Sequence, residues 1–331
     1  MIKNFLKTHS IHKKIVPSLD FFMLLRPTLF FSVWVMICIG MYIASILNNS
    51  PQMNIINYSI HTTALFLGIS FVCGSTFVLN QISDIESDRI NKKIFLLNEI
   101  ITPEKALSIS KIVSALGFFI VLFIDWLIVF PLLFIFIIWG IMYNNKKFNW
   151  KGSPWLGLFS NLICGYLLIL CGMIFNRSNI EFHILLANSI KYIMPFIFAY
   201  ASIVLLANIP DRDGDEAIDK KTLTVILGDK TTIVLATFLC FLSFLVGIYI
   251  REPLSSTASL TSIPFFLFAL FRGKEKDVIR AIRYPIFLLN FYVLTIYPLL
   301  IFPILTFYYI SKYYYWHRFS IHYPTLLVDN D

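Results

Sequence analysis

Long stretches without a formal charge constrain this chain more than any other feature. No Asp, Glu, Lys or Arg occurs from Pro27 to Ser83, Ile112 to Ile124, Trp126 to Asn145 or Gly152 to Asn176. Four more such runs extend from Tyr192 to Pro210, Thr231 to Ile250, Pro253 to Phe271 and Tyr284 to Ser311. A bilayer core about 30 Å thick takes about 20 apolar residues per spanning helix. Lipid offers no partner to an open backbone group, so helices and closed barrels are the structures that can cross it. The first run is long enough for two spans, with Asn48-Asn49-Ser50-Pro51 as the turn between them. The expectation is an all-α, polytopic membrane protein, a bundle of about nine transmembrane helices. Of 331 residues, 58% are hydrophobic and 14% charged, against about 25% charged in a soluble domain.

Residues 1–26 read as an interfacial segment and 27–331 as a single transmembrane domain. Lys3, Lys7, Lys13 and Lys14 give a basic start, but Pro17, Asp20 and Arg26 interrupt it before any apolar core, so it does not read as a cleaved signal peptide. The five cysteines lie in apolar runs without a CxxC pair or a nearby His, and are expected to be small core residues. Basic residues gather in cytoplasmic loops. With the N-terminus inside, one face takes most of the 27 Lys and Arg, and the other only Arg177, Lys191, Arg251, Lys312 and Arg318. An odd helix count puts the aromatic tail Tyr313-Tyr314-Tyr315-Trp316 on that second face as an interfacial belt. Membrane orientation therefore accounts for the net charge of +8, and no nucleic-acid surface is needed. The chain is expected in a plasma or inner membrane, with its N-terminus cytoplasmic and no obligate protein partner evident.

Two loops of that inner face, 80–91 and 208–222, hold a large share of the 19 acidic residues. Asn80, Asp84 and Asp88 recur every four residues, which places them on one face of a helical extension. Asp211, Asp215 and Asp219 repeat the spacing behind Asn208, a likeness that suggests two divergent halves. Like charges one turn apart destabilise a helix by about 0.2–0.5 kcal/mol per pair, so the clusters invite a cation. A donor set of carboxylates and amide oxygens, without Cys or His, suits magnesium or calcium. Magnesium commonly bridges one or two carboxylates to substrate phosphates, so a phosphate-bearing substrate is the natural complement. The plainer alternative is a pair of solvated turns.

These residues resemble the UbiA-type intramembrane prenyltransferase superfamily, including its homogentisate and 4-hydroxybenzoate branches. Asn80, Asp84 and Asp88 match the first motif, NDxxDxxxD, with Gln81 at the usual Asp. Asp211, Gly214, Asp215 and Thr222 match the second, with Asn208 where Asp is common and Asp219 where Gly is common. Arg26-Pro27 is similar to the family's approach to its first helix, and Tyr143 with Lys147 and Lys151 to its third-loop pattern. The stretch 92–97 departs from the family's Arg-Pro pattern, which leaves the acceptor open.

The resemblance implies magnesium-dependent transfer of a prenyl group from a prenyl diphosphate to an aromatic or other lipophilic acceptor within the lipid bilayer. Asp84, Asp211 and Asp215 are then the expected catalytic carboxylates. Asn80, Asp84, Asp88, Asn208, Asp211, Asp215 and Asp219 are the expected metal ligands, with Asp219 replacing a lost contact. Arg26, Tyr143, Lys147 and Lys151 are the expected diphosphate contacts. Aromatic faces would shelter the allylic cation. A glycerol phosphate or sugar phosphate acceptor is an alternative. A cation transporter is disfavoured, because transporters place ionisable groups near the midplane and the charge-free runs hold none. A CDP-alcohol phosphotransferase is disfavoured because Asp213-Gly214 is followed by Asp215-Glu216 rather than leading to Ala-Arg.

Overall fold

A computed structural model describes residues 9–48, 59–90, 96–97, 99–145, 147–178 and 180–325. Lys3, Lys7, Asn49-Ser50-Pro51, Asn91, residues 92–95 and Lys146 lie outside the described residues. Two short helices, α1 (Ser10–Ser18) and α2 (Asp20–Leu24), lead to α3 (Phe30–Leu47). After α3 come α4 (Ile60–Ser83), the short α5 (Ile85–Ile90), α6 (Pro103–Ile124) and α7 (Trp126–Ile135), which runs on as a π-helix over Phe136–Met142. The chain continues through α8 (Pro154–Phe175), α9 (Phe182–Ala207), the short α10 (Arg212–Ala217) and α11 (Leu223–Tyr249). It ends with α12 (Pro253–Arg272), α13 (Glu275–Ile296) and α14 (Ile301–Phe319). Eight of the described helices are long and apolar enough to cross a membrane, and the apolar stretch Trp126–Met142 is a shorter ninth. All five cysteines are free and buried, as expected of core residues.

Lipid tails are as apolar as Leu, so helices in a bilayer gain by letting backbones approach closely over small residues. A Cβ on Gly40 of α3 would lie 1.9 Å from the Ile169 carbonyl oxygen of α8, and one on Gly172 of α8 2.0 Å from the Ile37 carbonyl oxygen. Gly68 and Gly117 let α4 meet α6 in the same way. Polar groups close the end of the bundle remote from the acidic loops. Asp125 caps α7 through Leu127 N at 3.0 Å and pairs with Arg177. Glu252, 1% exposed, accepts from Leu254 N at 3.0 Å and Ser255 N at 2.6 Å at the start of α12.

The last apolar run is not one span. Tyr297 leaves helical geometry (φ −123°, ψ 70°), Pro298–Leu300 forms a 3-10 turn, and α14 then returns toward the N-terminal segment. His12 Nδ1 lies 2.5 Å from the Tyr313 hydroxyl and its ring stacks on His317. Asp20, which is buried, accepts from Tyr314 Oη at 2.5 Å and from Arg318 at 3.0 Å. The aromatic tail Tyr313–Trp316 is therefore packed beside Asp20 and the approach to Arg26, at the same end of the bundle as the acidic loops. This corrects the expectation that an odd helix count puts it at the opposite end. Lys312 and Arg318 move with it, which sharpens the asymmetry of basic residues.

Gly40→Ala forces α3 and α8 apart and should cost about 1–3 kcal/mol, seen as a lower Tm in detergent. Gly157→Ala, whose Cβ meets nothing nearer than 3.5 Å, should leave Tm nearly unchanged. Equal effects would contradict the close-contact account.

Candidate active site

The helical register of α4 carries past its end. Asp84 N donates to Asn80 O at 3.0 Å and Asp88 N to Asp84 O at 2.8 Å, so the four-residue spacing persists through the junction with α5. Asn80, Asp84 and Asp88 consequently line one cavity. On the other side Asp215 N donates to Asp211 O at 3.0 Å, and α10 packs against α5. Asn208, Asp211 and Asp215 line the same cavity, of about 160 Å3, together with Arg26, Tyr143 and Lys151. Four intervening long helices thus separate two loops that meet in space.

Two of the expected site residues lie outside this cavity. Lys147 is exposed and lies outside the cavity. Asn149 takes a left-handed turn (φ 44°) into the 3-10 segment Trp150–Gly152, which leaves Lys151 as the inward cation. Asp219 is exposed and lies outside the cavity lining. Helix α10 ends at Ala217, and Asp219 sits at φ 56°, a left-handed conformation that Gly and, among other residues, Asp and Asn adopt most readily. That explains why Asp can stand where the motif has Gly.

The turn at Asp219 brings in a residue that the basic-loop count did not distinguish. Lys220 Nζ lies 3.0 Å from Asp84 Oδ1, 3.0 Å from Asp215 Oδ1 and 3.3 Å from Ser87 Oγ. Lys151 pairs with the same Asp84 oxygen, donates to Ser83 Oγ at 2.8 Å and stands over the Tyr143 ring, 5.9 Å from its centroid. Arg26, held at φ 52° before Pro27, reaches to 3.8 Å from Asp88. Asn144, carried in by the π-helix, accepts from Asn80 at 3.1 Å and Ser83 at 3.2 Å; such π segments often mark functional sites.

Burial by itself would raise the Asp84 carboxyl, but Lys151 and Lys220 together outweigh it and hold the group below its ordinary value. Burial pulls the Lys151 ammonium down to about 8 against the opposing pull of Asp84. Burial also works against Lys220, yet Asp84 and Asp215 prevail and hold it above its usual value.

The donors are all oxygen, which fits a hard cation. Among the described residues no three acidic side chains close around one point, so an ion here would take its remaining ligands from water and from substrate. The Thr222 hydroxyl, buried and without a hydrogen-bond partner, adds a spare oxygen to the lining. Directly below, a chamber of about 290 Å3 shares Arg26, Asn80, Tyr143 and Asn161 with the cavity and continues past Phe77, Trp139, Leu168 and Tyr200.

A family model described as the UbiA prenyltransferase family matches residues 33–291, most of the chain. The chain belongs to the UbiA prenyltransferase family. The 2-acylphloroglucinol 4-prenyltransferase of Humulus lupulus is 26% identical over 227 residues, covering 64% of this chain and 54% of the relative. The chain thus spans about half the length of the curated relatives it matches. A UbiA homolog from Archaeoglobus fulgidus bound to GPP and Mg2+ superposes with TM-score 0.61 at 16% identity, over 84% of this chain and 99% of that one. A structure described as digeranylgeranylglyceryl phosphate synthase in membranes gives TM-score 0.59 at 20% identity, over 85% and 97%. These structures share the fold of this UbiA family member.

Asp84→Asn removes the carboxylate common to both lysines and should cost about 3 kcal/mol, the scale for breaking a buried ion pair. With Lys151 charged below pH 8 and neutral above it, the loss of Tm relative to the unaltered protein should be larger at pH 6 than at pH 9. Equal losses at both pH values would show that the charge on Lys151 does not depend on Asp84.

Proposed function

We propose that this protein is a magnesium-dependent prenyltransferase that moves a prenyl group from a prenyl diphosphate to an aromatic or other lipophilic acceptor. One observation carries the reading: the two acidic loops line a single cavity that opens into an apolar chamber. Family membership and the neighbour bound to GPP and Mg2+ support it.

Asn80, Asp84 and Asp88 on one wall, and Asn208, Asp211 and Asp215 on the other, are the residues we assign to hold magnesium. When bound, the metal supplies Lewis-acid stabilisation to diphosphate oxygens as the allylic C–O bond breaks. Both electrons of that bond leave with the diphosphate. Arg26 and Lys151 point their cations into the cavity, where they receive the developing negative charge. The allylic carbon is left facing the chamber, where Tyr143, Trp139, Phe77 and Tyr200 present aromatic surfaces to a cation. The acceptor enters on that side, takes the prenyl carbon and loses its proton. Burial of the cavity walls keeps water from capturing the cation first.

Electrostatics also orient the bundle. The end that carries the acidic loops, the N-terminal helices and the tail of α14 holds nearly all of the described Lys and Arg, so we assign it to the cytoplasm. In intact cells, an Ala217→Cys variant should resist an impermeant thiol reagent applied from outside, whereas outside labelling would reverse the assignment.

Turnover should vanish after exhaustive EDTA treatment and return with Mg2+. Asp84→Asn and Asp211→Asn should each lower the rate by about a hundredfold or more, in protein that is intact by size-exclusion. Residues that act as one unit are strongly non-additive, so the double variant should be little worse than either single one. Losses that simply multiply would mean two independent sites.

A further inference from the structure

Lys220 stands at the centre of the site but at no position of either acidic motif. Its ammonium bridges the loops directly, 3.0 Å from Asp84 Oδ1 on one side and 3.0 Å from Asp215 Oδ1 on the other. It is placed there by backbone, because Lys220 N donates to Asp215 O at 2.9 Å just after the left-handed turn at Asp219. The next residue, Lys221, is exposed and its amide bonds Gly152 O instead.

A magnesium ion bound to both carboxylates needs each oxygen at about 2.1 Å. The ammonium already uses one oxygen of each, at 3.0 Å, and cannot share the space between them with an ion. Charge points the same way. Asp84, Asp88, Asp211 and Asp215 face Arg26, Lys151 and Lys220 within one cavity, so the site is nearly neutral without any metal. Gln81 and Asn208, neutral where the motifs carry Asp, remove further negative charge that would attract a free cation. A diphosphate brings about three negative charges and changes that balance.

We propose that Lys220 is a tethered counter-cation that occupies the place of a divalent ion between Asp84 and Asp215 while the site is empty of substrate. The ion then enters with the diphosphate, and the ammonium passes from the carboxylates to the diphosphate oxygens. Lys220 thus makes metal binding depend on the diphosphate; this rests on the magnesium and diphosphate reading of the site.

The test is Mn2+ binding followed by electron paramagnetic resonance, with and without inorganic pyrophosphate, on the full chain and on Lys220→Met and Lys220→Arg. The unaltered protein should bind Mn2+ weakly alone and roughly 10-fold more tightly with pyrophosphate, a difference of about 1.4 kcal/mol. Lys220→Met should bind Mn2+ tightly without pyrophosphate, and Lys220→Arg should behave as the unaltered protein. In turnover, Lys220→Met should need less Mg2+ for half-saturation while its maximal rate falls. Equal Mn2+ affinity in all three proteins would overturn the proposal. So would absence of any pyrophosphate effect in the unaltered protein, a measurement that stands even if Lys220→Met does not fold. No Mn2+ binding by any of them, with or without pyrophosphate, would instead overturn the magnesium reading of the site.

Discussion

The structure depends on a charge balance at the edge of an apolar bundle. Asp84 lies where burial disfavours its ionised form, and it remains ionised because Lys151 and Lys220 converge on one of its oxygens. Each lysine is in turn kept in the cavity by that carboxylate. Unpaired, the Asp84 carboxylate would cost several kcal/mol at this depth, and Lys220 of the second loop supplies one of its two partners. The Lys220 bridge to Asp84 and Asp215 joins the two loops where α5 packs on α10. The close backbone contact at Gly68–Gly117 fixes α4 against α6, the helices that flank the first loop, and the contact at Gly40–Gly172 fixes α3 against α8.

Much of this was legible in the sequence because two periodicities are simple. Charge-free runs of bilayer length gave the spanning helices, and the four-residue spacing of Asn80, Asp84 and Asp88 gave the wall of the cavity, since the helical hydrogen bonds continue through Asp84. The same spacing misled at Asp219. There the helix has already ended, and the residue takes a left-handed turn outside the cavity lining. Lys147 lies outside the cavity for a related reason: a sequence interval cannot register that Asn149 turns the loop and delivers Lys151 instead. Lys220 escaped notice because counting basic residues says on which face they lie and nothing about where an ammonium points.

The end of the chain shows the limit of counting apolar residues. From Tyr284 to Ser311 no charge interrupts the run, so it reads as one span. Pro298 removes a backbone donor and, with Tyr297, breaks the helix, so that α14 doubles back onto α1 and α2. Asp20, Tyr314 and Arg318 then fasten the tail to the segment that leads to Arg26. Arg26 in turn reaches toward Asp88, so the tail supports one wall of the cavity from outside. Pro298 was the available signal; its weight depended on knowing that the return helix had a partner.

The most direct measurement of the central claim is the anomalous scattering of Mn2+ in crystals of the protein grown with an unreactive prenyl thiodiphosphate. The account predicts metal peaks inside the one cavity, between the wall of Asn80, Asp84 and Asp88 and the wall of Asn208, Asp211 and Asp215, with the diphosphate between them and Lys220 displaced onto its oxygens. Metal bound at one loop alone, or diphosphate bound away from both, would contradict it.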